Sequence, residues 1–489
     1  MTRLRKLILL IFIGAYLGVA PLTILYALGF IFNPGRQTLV QTGLVSLASE
    51  PAGAVVSVDG FPSEDKTPVV LRNLSPGVHE VQINLPAYHS WHKQIRVIPE
   101  RVLRFENVLL FPSAFDEEVV GNFPISNLWH VPAGKYILTL EGETAGGLSL
   151  FDPAEKKFLP LASKIPYPDA KVVQVFLHPD GDRARLILQG EKILIPPFIK
   201  WTAPAGVLDV SGVFHEPFEQ ITWDPYQKNS LFYLQGKTLQ KINLERGIVY
   251  PPLSEKITGY TLHKGRLYAL DQENRFLELS EKGKVQEVLL DDASRARLIF
   301  GPDQENPYQI SFLSNSSVFF IQNEAVALFL SKKGRLFCNK LPYFLDEGVD
   351  ELVTARSELR AAYRKGEELW TVDLQREEEK AFFEAGPRPR RIHKGKESLA
   401  HILWSYNDQY VFFLEGPRVM VQDYEGGEDA VELFKISKQV KKIILDSPNG
   451  FLYFAEPGGH RLARVKIHTP AGLIPRLMDD FAEAGKEPS

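Results

Sequence analysis

Cysteine is nearly absent from this chain, since Cys338 is the single one among 489 residues. No intrachain disulfide can form, so burial of apolar side chains has to stabilise the fold. The composition, with 44% hydrophobic and 24% charged residues, is that of a globular protein and excludes a wholly disordered chain. A chain of this length is able to bury a sizeable core.

An excess of charge of either sign is also lacking. The formal net charge is −4 and the isoelectric point is about 6.3. Nucleic-acid binding proteins carry a basic surface that neutralises phosphates. The near balance of acidic and basic residues in this chain gives no electrostatic reason to expect such a partner. We therefore predict no nucleic-acid partner.

Signatures of common catalytic and metal sites are missing as well. The sequence contains no H-E-x-x-H, no G-x-S-x-G and no phosphate-binding G-x-x-x-x-G-K-[ST]. Nothing local marks Cys338 as a nucleophile, and we interpret it as a small core residue. Asp180, Asp182 and Asp303 lack the spacing of an EF-hand loop and are interpreted as turn residues. We predict no catalytic, cofactor-binding or metal-binding residue, and no cofactor.

One long apolar run stands near the N-terminus. Residues 7–32 contain no charged side chain, and the run exceeds the ~20 residues that a membrane-spanning helix needs. Arg3, Arg5 and Lys6 precede it, so the positive-inside rule predicts a cytoplasmic stub at residues 1–6 and an extracytoplasmic body. The alternative is a cleaved signal peptide, whose apolar region is only ~7–15 residues long. We predict a single-pass transmembrane helix over residues 7–32.

Short apolar stretches at strand spacing follow between residues 43 and 110. Residues 44–47, 54–58, 69–71, 78–83, 91–97 and 102–108 are predicted strands. Turn chemistry separates them: Asp59-Gly60 is a hairpin dipeptide, and Gly77 permits a positive φ between two strands. The pattern predicts a small all-β module.

This module resembles the PEGA domain. The pieces that carry the resemblance are residues 51–54 (PAGA), 58–60 (VDG), 66–68 (KTP), 74–79 (LSPGVH) and 88–91 (YHSW). Ala52 stands where the name-giving tetrapeptide has glutamate, and Ala87 stands where the family usually has glycine. The resemblance covers residues 43–110 and implies a small β-sandwich of envelope and surface proteins, without catalytic residues.

Aromatic and histidine side chains cluster late in the module. Tyr88 and Trp91 are large apolar bodies suited to a small core, and His89 and His92 lie beside them in the sequence. We interpret the four as core and edge residues. A carbohydrate-stacking or metal site is the alternative.

A loose repeat fills residues 120–470. Very apolar strands begin at intervals of 36 to 52 residues, and they are residues 136–140, 184–188, 231–234, 267–270, 308–312, 360–363, 410–414 and 451–454. A period near ~40–50 residues with several strands per unit is typical of a β-propeller. Eight such strands fit seven or eight blades, and residues 471–489 are a polar tail.

Similar turns precede most of these strands. They are residues 177–181 (LHPDG), 223–225 (WDP), 300–303 (FGPD), 404–408 (WSYND) and 446–450 (DSPNG). They resemble the W-S-P-D-G turn of TolB-like and WD40-like propeller repeats. The ring should close by contact between the segments near residues 123–150 and 443–467, because closure protects strand edges.

The sixth repeat carries extra charge. Residues 376–380 and 387–394 are interpreted as a charged loop insertion, and residues 388–394 are the most basic patch of the chain. The patch could contact an anionic polymer or a lipid headgroup. We favour a solvated loop whose charge is balanced by Glu377, Glu378 and Glu379.

The fold class predicted for the chain is all-β with one N-terminal transmembrane helix, comprising a small β-sandwich and a seven- or eight-bladed β-propeller. The predicted function is a membrane-anchored cell-envelope protein with a non-enzymatic binding or scaffolding role, whose partner is an envelope protein or polysaccharide. An envelope enzyme with a site in the propeller channel and a purely structural envelope component are the alternatives.

Overall fold

A computed structural model describes residues 3–468 of the chain. The gaps in this description are residues 28, 34–37, 100, 123, 132–135, 162–164, 179–180, 191, 196–207, 214–219, 225–226, 228, 264–265, 274, 291–317, 321–326, 331–333, 339–343, 358, 374–388, 427–428, 437–439, 441, 447–448 and 457–460. Two compact units divide the chain. Unit 1 comprises Met1–Asp116, Pro448–Gly450 and Lys466–Ser489, and unit 2 comprises Glu117–Ser447 and Phe451–Val465.

Unit 1 begins with helix α1 (Arg3–Ala27). The helix ends earlier than predicted, because Gly29 adopts φ +81°, a left-handed conformation that commonly terminates helices. The last predicted helical residues instead form strand β1 (Phe30–Asn33), which pairs with β2 (Thr38–Gln41). Among the described residues, no helix combines the length and the apolar character that a membrane span requires.

The remainder of unit 1 contains a two-sheet sandwich. Its strands are β3 (Gly43–Glu50), β4 (Val55–Val58), β5 (Phe61–Lys66), β6 (Val69–Leu74), β7 (Gly77–Asn84), β8 (Trp91–Val97) and β9 (Val102–Leu109). One sheet has the order β6-β3-β9 and the other β5-β4-β7-β8. A single apolar core lies between them and includes Val45, Val56, Val81 and Ile95. The predicted β-sandwich is confirmed.

Strand β5 was not among the strands predicted from the sequence. Its residues, F-P-S-E-D-K, are mostly exposed and carry three charges and a proline. Such a segment has no apolar alternation from which a strand can be recognised. It lies at the sheet edge and pairs with β4 alone, where proline and charge are tolerated.

Unit 2 begins with β10 (Glu117–Gly121), and its first four sheets follow in chain order. Sheet 1 contains β11 (Ile125–His130), β12 (Ile137–Glu141), β13 (Leu148–Asp152) and β14 (Lys157–Pro160). Sheet 2 contains β15 (Val172–Leu177), β16 (Ala184–Leu188), β17 (Lys192–Ile195) and β18 (Leu208–Asp209). Sheet 3 contains β19 (Gln220–Trp223), β20 (Ser230–Gln235), β21 (Thr238–Asn243), β22 (Ile248–Val249) and β23 (Ser254–Glu255). Sheet 4 contains β24 (Ile257–His263), β25 (Arg266–Asp271), β26 (Phe276–Leu279) and β27 (Val285–Leu290).

Four further sheets complete unit 2. Sheet 5 contains β28 (Val318–Phe320), β29 (Ala327–Leu330), β30 (Leu336–Cys338) and β31 (Phe344–Asp346). Sheet 6 contains β32 (Glu351–Thr354), β33 (Arg360–Lys365), β34 (Glu368–Asp373) and β35 (Arg390–Lys394). Sheet 7 contains β36 (Leu399–Trp404), β37 (Tyr410–Glu415), β38 (Arg418–Asp423) and β39 (Val431–Lys435). Sheet 8 contains β40 (Ile443–Asp446), β41 (Phe451–Glu456), β42 (Arg461–Lys466) and the early strand β10. The described residues of unit 2 thus contain eight sheets, the larger of the two blade numbers predicted.

The very apolar strands predicted from the sequence occupy equivalent positions in these sheets. Seven of the eight apolar stretches correspond to the second strand of a sheet: β12, β16, β20, β25, β33, β37 and β41. The remaining stretch, residues 308–312, lies outside the described residues, and the second strand of sheet 5 is β29. All described strand pairs of unit 2 are antiparallel and, β10 excepted, join strands of one repeat.

The turn that follows the first strand is also shared. The backbone N–H of His178 donates to the carbonyl of Arg183, that of Asp224 to Ser230 and that of Ser405 to Tyr410, at 2.9, 3.0 and 2.9 Å. These bonds close equivalent hairpins in sheets 2, 3 and 7. The turn motifs therefore recur in phase because each connects the first two strands of a sheet.

Neighbouring sheets pack through apolar side chains. Clusters of buried residues join sheets 1 and 2, 2 and 3, 3 and 4, 5 and 6, and 6 and 7. Another cluster joins sheet 1 to sheet 8 and contains Ile125, Phe151, Ile444 and Tyr453. The contact predicted between the first and last repeats is confirmed, and unit 2 is propeller-like.

Candidate functional site

A cavity of about 470 Å³ lies between sheets 6 and 7. We call it the basic pocket. Strand β35 and the following turn contribute one side, and the hairpin of β37 and β38 contributes another. The lining residues are Arg391, Ile392, His393, Lys394, Lys396, Glu415, Arg418, Met420, Asp429 and Ala430.

Strand β35, which carries charged side chains of the pocket, is fixed in position by its pairing with β34 and by one buried residue. It pairs with β34 along the edge of sheet 6. Ile392 is buried in the apolar cluster between sheets 6 and 7, while Arg391 and Lys394 are exposed. Gly395 ends the strand and donates its N–H to the carbonyl of Glu367 at 2.8 Å. A Cβ at Gly395 would approach the Glu397 carbonyl oxygen within 2.9 Å.

The opposite side of the pocket is a tight hairpin. Glu415, at the end of β37, faces Arg418, at the start of β38. Two residues connect them, and Gly416 adopts φ +57°, as two-residue hairpin turns of this kind require. The hairpin thereby places the guanidinium of Arg418 2.7 Å from Glu415 Oε1.

Glu415 is a buried carboxylate surrounded by donors. It accepts hydrogen bonds from the backbone N–H of Lys396 at 2.8 Å and from His393 Nε2 at 2.9 Å, besides the contact with Arg418. Burial alone would raise the pKa of Glu415, but these hydrogen bonds and the charge of Arg418 lower it below the ordinary value. Glu415 therefore stays ionised and fixes both sides of the pocket.

The pocket's other cations differ in their partners. Arg391 forms an ion pair with Glu368 at 2.8 Å, which lowers the pKa of that carboxyl. Within the described part of the chain, the ammonium groups of Lys394 and Lys396 have no carboxylate within 4 Å, and Arg418 Nε is buried without an acceptor. Asp429 is the lining carboxylate that forms no ion pair there.

The interpretation of the basic patch as a solvated loop is wrong for residues 390–394. They form strand β35, because Ile392 is drawn into the core and the backbone completes sheet 6. The proposed counter-ions Glu377, Glu378 and Glu379 lie outside the described residues. Glu368 and Glu415 take that role, and neither was recognised because each lies on another strand.

The aromatic and histidine side chains of unit 1 behave mainly as structural residues. Tyr88 and Trp91 pack against the sandwich core, and the ring of Trp91 lies 6.0 Å from that of Phe105. Burial lowers the pKa of His89, whereas His92 is exposed in β8. In the part of the chain that the structure describes, no three His, Cys, Asp or Glu side chains are grouped as metal ligands.

The structure describes two of the four remaining candidate residues from the sequence. Cys338 is buried in the apolar cluster between sheets 5 and 6, as predicted for a core residue. Asp182 is nearly buried and forms ion pairs with Arg183 at 3.0 Å and His178 at 3.5 Å. Asp180 and Asp303 lie outside the described residues.

Sequence reasoning missed His79, which ties two turns of unit 1 together. Its Nδ1 lies 2.6 Å from Asp59 Oδ2, and its Nε2 lies 2.7 Å from the carbonyl oxygen of Ser75. A protonated imidazole can donate to both. Burial opposes the charge, but the hydrogen bonds to Asp59 and Ser75 raise the pKa of His79. The two flanking turns were visible in the sequence, but their proximity was not.

This geometry predicts a pH-dependent contribution to the stability of unit 1. Because the folded pKa of His79 is raised, its contribution is fully present below the unfolded value near 6.5 and is lost as the pH rises through the folded pKa. We expect His79→Asn to lower the free energy of unfolding by about 0.5–1 kcal/mol at acidic pH, a modest value because solvent screens the half-exposed Asp59.

Thermal unfolding of the chain at about pH 5.5 and about pH 8.5 measures this difference. His92→Asn, in strand β8 of the same sheet, is the matched control. The difference between His79→Asn and the unsubstituted chain should be larger at the acidic pH. An equal difference at both values would contradict the assignment.

Comparisons with known proteins address the two units separately. No curated protein matches the chain. Among solved structures, the β-propeller domain of Cps50 (Swd1) from Myceliophteria thermophila is 10% identical, with 72% of this chain and 99% of that chain covered and a TM-score of 0.40. The C-terminal WD40 domain of Sif2 is also 10% identical, with 73% and 99% covered and a TM-score of 0.47.

A structure of the mitotic checkpoint complex gives 9% identity, 74% and 93% coverage and a TM-score of 0.38. These identities are too low for a function to be transferred. The sandwich of unit 1 has a direct family match, which agrees with the predicted boundaries to within one residue. Residues 42–110 match the family model of the PEGA domain.

Proposed function

We propose that this chain is a membrane-tethered, non-enzymatic binding protein of the cell envelope, in which unit 2 recognises a partner. The domain division proposed with it is a stub at residues 1–6, an anchor that begins at residue 7 and whose helix ends at Ala27, the PEGA domain, a propeller at 120–470 and a tail at 471–489. The basic pocket is the observation that carries the binding role, because it is a cavity with charged groups left unpaired.

The anchor rests on apolar surface that faces solvent. Helix α1 exposes Leu10, Ile11, Phe12, Ile13, Tyr16, Leu17, Val19 and Ile24, each by more than half of its surface. Burial of such side chains in an apolar medium stabilises by about 1.5–3 kcal/mol each. Their sum far exceeds the cost of leaving the N-terminal charges at the membrane surface, which favours insertion of the uncharged run.

Membrane fractionation and a topology reporter test the tether. We expect the full chain to remain in the membrane pellet at alkaline pH and a chain lacking residues 3–27 to be released. An enzyme that works only outside the cytoplasm should be active when fused after Ser489. Activity of a cytoplasm-only reporter at that position would contradict the proposed orientation. Replacing Arg3, Arg5 and Lys6 by alanine is the control for orientation, since the apolar run is unchanged.

Partner capture tests the binding role. The tagged full chain is cross-linked in cells, and proteins that co-purify from solubilised membranes are identified. A tagged chain ending at Asp116 is the matched control, since it keeps the anchor and the PEGA domain but lacks unit 2. A partner captured only by the full chain supports recognition by unit 2. Equal capture by both chains would overturn it.

A further inference from the structure

The lining of the basic pocket is rich in cationic side chains. They are Arg391, Lys394, Lys396 and Arg418, against the two lining carboxylates Glu415 and Asp429. Carboxylates just outside the lining offset the two arginines: Glu368 pairs with Arg391, and Glu397 and Glu432 lie 3.5 and 4.0 Å from Arg418. The charge that the pocket offers to a ligand is therefore carried by its two lysines.

Internal ion pairs leave two cations without a partner at one end of the pocket. Glu415 is fully engaged by Arg418, His393 and the N–H of Lys396. Arg391 is neutralised by Glu368. The ammonium groups of Lys394 and Lys396 form no ion pair with any described residue, although the charge of Lys394 helps to lower the pKa of Glu368.

A third cation lies on the same cavity. The side chain of Arg418 keeps 22% of its surface exposed, so its guanidinium can contact an oxygen supplied from outside. Ile392, Met420 and Ala430 line the same cavity and offer apolar contact to the carbon atoms that carry such an oxygen.

We propose that the basic pocket binds an acidic group of the partner, a carboxylate or a phosphate, through Lys394, Lys396 and Arg418. The inference rests on the proposed binding function of unit 2 and specifies the chemistry it recognises. The volume of about 470 Å³ is sufficient for one acidic side chain or phosphoryl group with its neighbouring atoms. Asp429 opposes the anion and limits the affinity.

Calorimetric titration of the full chain with glutarate and, separately, with pyrophosphate at low salt tests the proposal. We expect saturable binding that weakens about tenfold in the double variant Lys394→Ala/Lys396→Ala, since two charge-assisted contacts are lost. Lys282→Ala/Lys284→Ala is the matched control: both lysines are exposed, they lie two residues apart in unit 2, and the same charge is removed. Binding by the control should change less than about twofold.

Asp429→Asn should change the affinity for the anionic probes in the opposite direction. Removing the opposing carboxylate should tighten binding about threefold without disturbing an ion pair of the described residues. Tighter binding of glutarate identifies the recognised group as a carboxylate, and tighter binding of pyrophosphate identifies it as a phosphate. No saturable binding of either probe, or equal weakening by the two double variants, overturns the proposal. An intact titration together with equal partner capture by the full chain and by the chain ending at Asp116 would instead count against the proposed function, so the two failures are distinguishable.

Discussion

Asp408→Ala is expected to lower the free energy of unfolding of unit 2 by about 2–4 kcal/mol. Asp408 is nearly buried at the turn between β36 and β37. Its Oδ1 accepts the backbone N–H of Arg356 at 2.9 Å, and its Oδ2 accepts that of Ser357 at 2.8 Å. Both donors lie in the turn of sheet 6, so alanine leaves two partly buried N–H groups unpaired across a sheet-to-sheet contact.

Two further substitutions separate this effect from backbone strain. Asp408 adopts φ +56°, which alanine also disfavours by about 1 kcal/mol. Asp408→Gly relieves the strain but removes both acceptors, and Asp408→Asn keeps one acceptor. Equilibrium unfolding in urea, with hydrogen exchange of β33 and β37 as the local probe, should rank the chains as Asp, then Asn, then Gly, then Ala. A glycine variant as stable as the unsubstituted chain would refute the proposed link between sheets.

The W-S-x-N-D segment at residues 404–408, which forms this turn, makes two further stabilising contacts. Trp404 donates its indole N–H to the carbonyl of Val353 in sheet 6 at 3.0 Å. Ser405 Oγ accepts the N–H of Tyr410 at 3.0 Å and so closes its own hairpin. One short motif therefore stabilises a hairpin and joins it to the preceding sheet.

A chain ending at Ser437 should fail to form a stable monomer. It would lack β40, β41 and β42, and β10 would lose β42, the one strand with which it pairs among the described residues. The buried cluster between sheets 1 and 8 would also open and expose Ile125, Leu128, Ile137 and Phe151. At about 1.5–3 kcal/mol for each side chain, the loss is roughly 6–12 kcal/mol. This is comparable to the whole stability of a typical protein, about 5–15 kcal/mol.

Size-exclusion chromatography and limited proteolysis measure this outcome. We expect aggregation and rapid cleavage, because the open sheet exposes contiguous apolar surface. A chain ending at His468 is the matched control, since it keeps every described strand of sheet 8. A monomer of the shorter chain that resists protease as well as the control would show that sheets 1 and 8 do not depend on each other.

Sequence reasoning succeeded for the second strands of the sheets because of where they lie. Strands β20 and β37 are buried on both faces along nearly their whole length. Such strands are continuous apolar runs, which stand out without any knowledge of their neighbours. The same reasoning failed for edge strands: β5 and β35 are largely exposed and charged, and a composition of that kind is typical of loops.

The sequence alone determined the all-β class, the repeat phase of unit 2, the PEGA domain and the absence of disulfides, since each depends on local periodicity, turn chemistry or a residue count. The basic pocket was decided only by the tertiary structure. Glu415 and Arg418 meet across a hairpin, but Lys394 and Lys396 reach them only because β35 completes sheet 6 and sheet 6 packs on sheet 7. Electrostatic and hydrogen-bonding interactions act over a few ångströms in space, and distance along the chain carries no information about which charges will be neutralised.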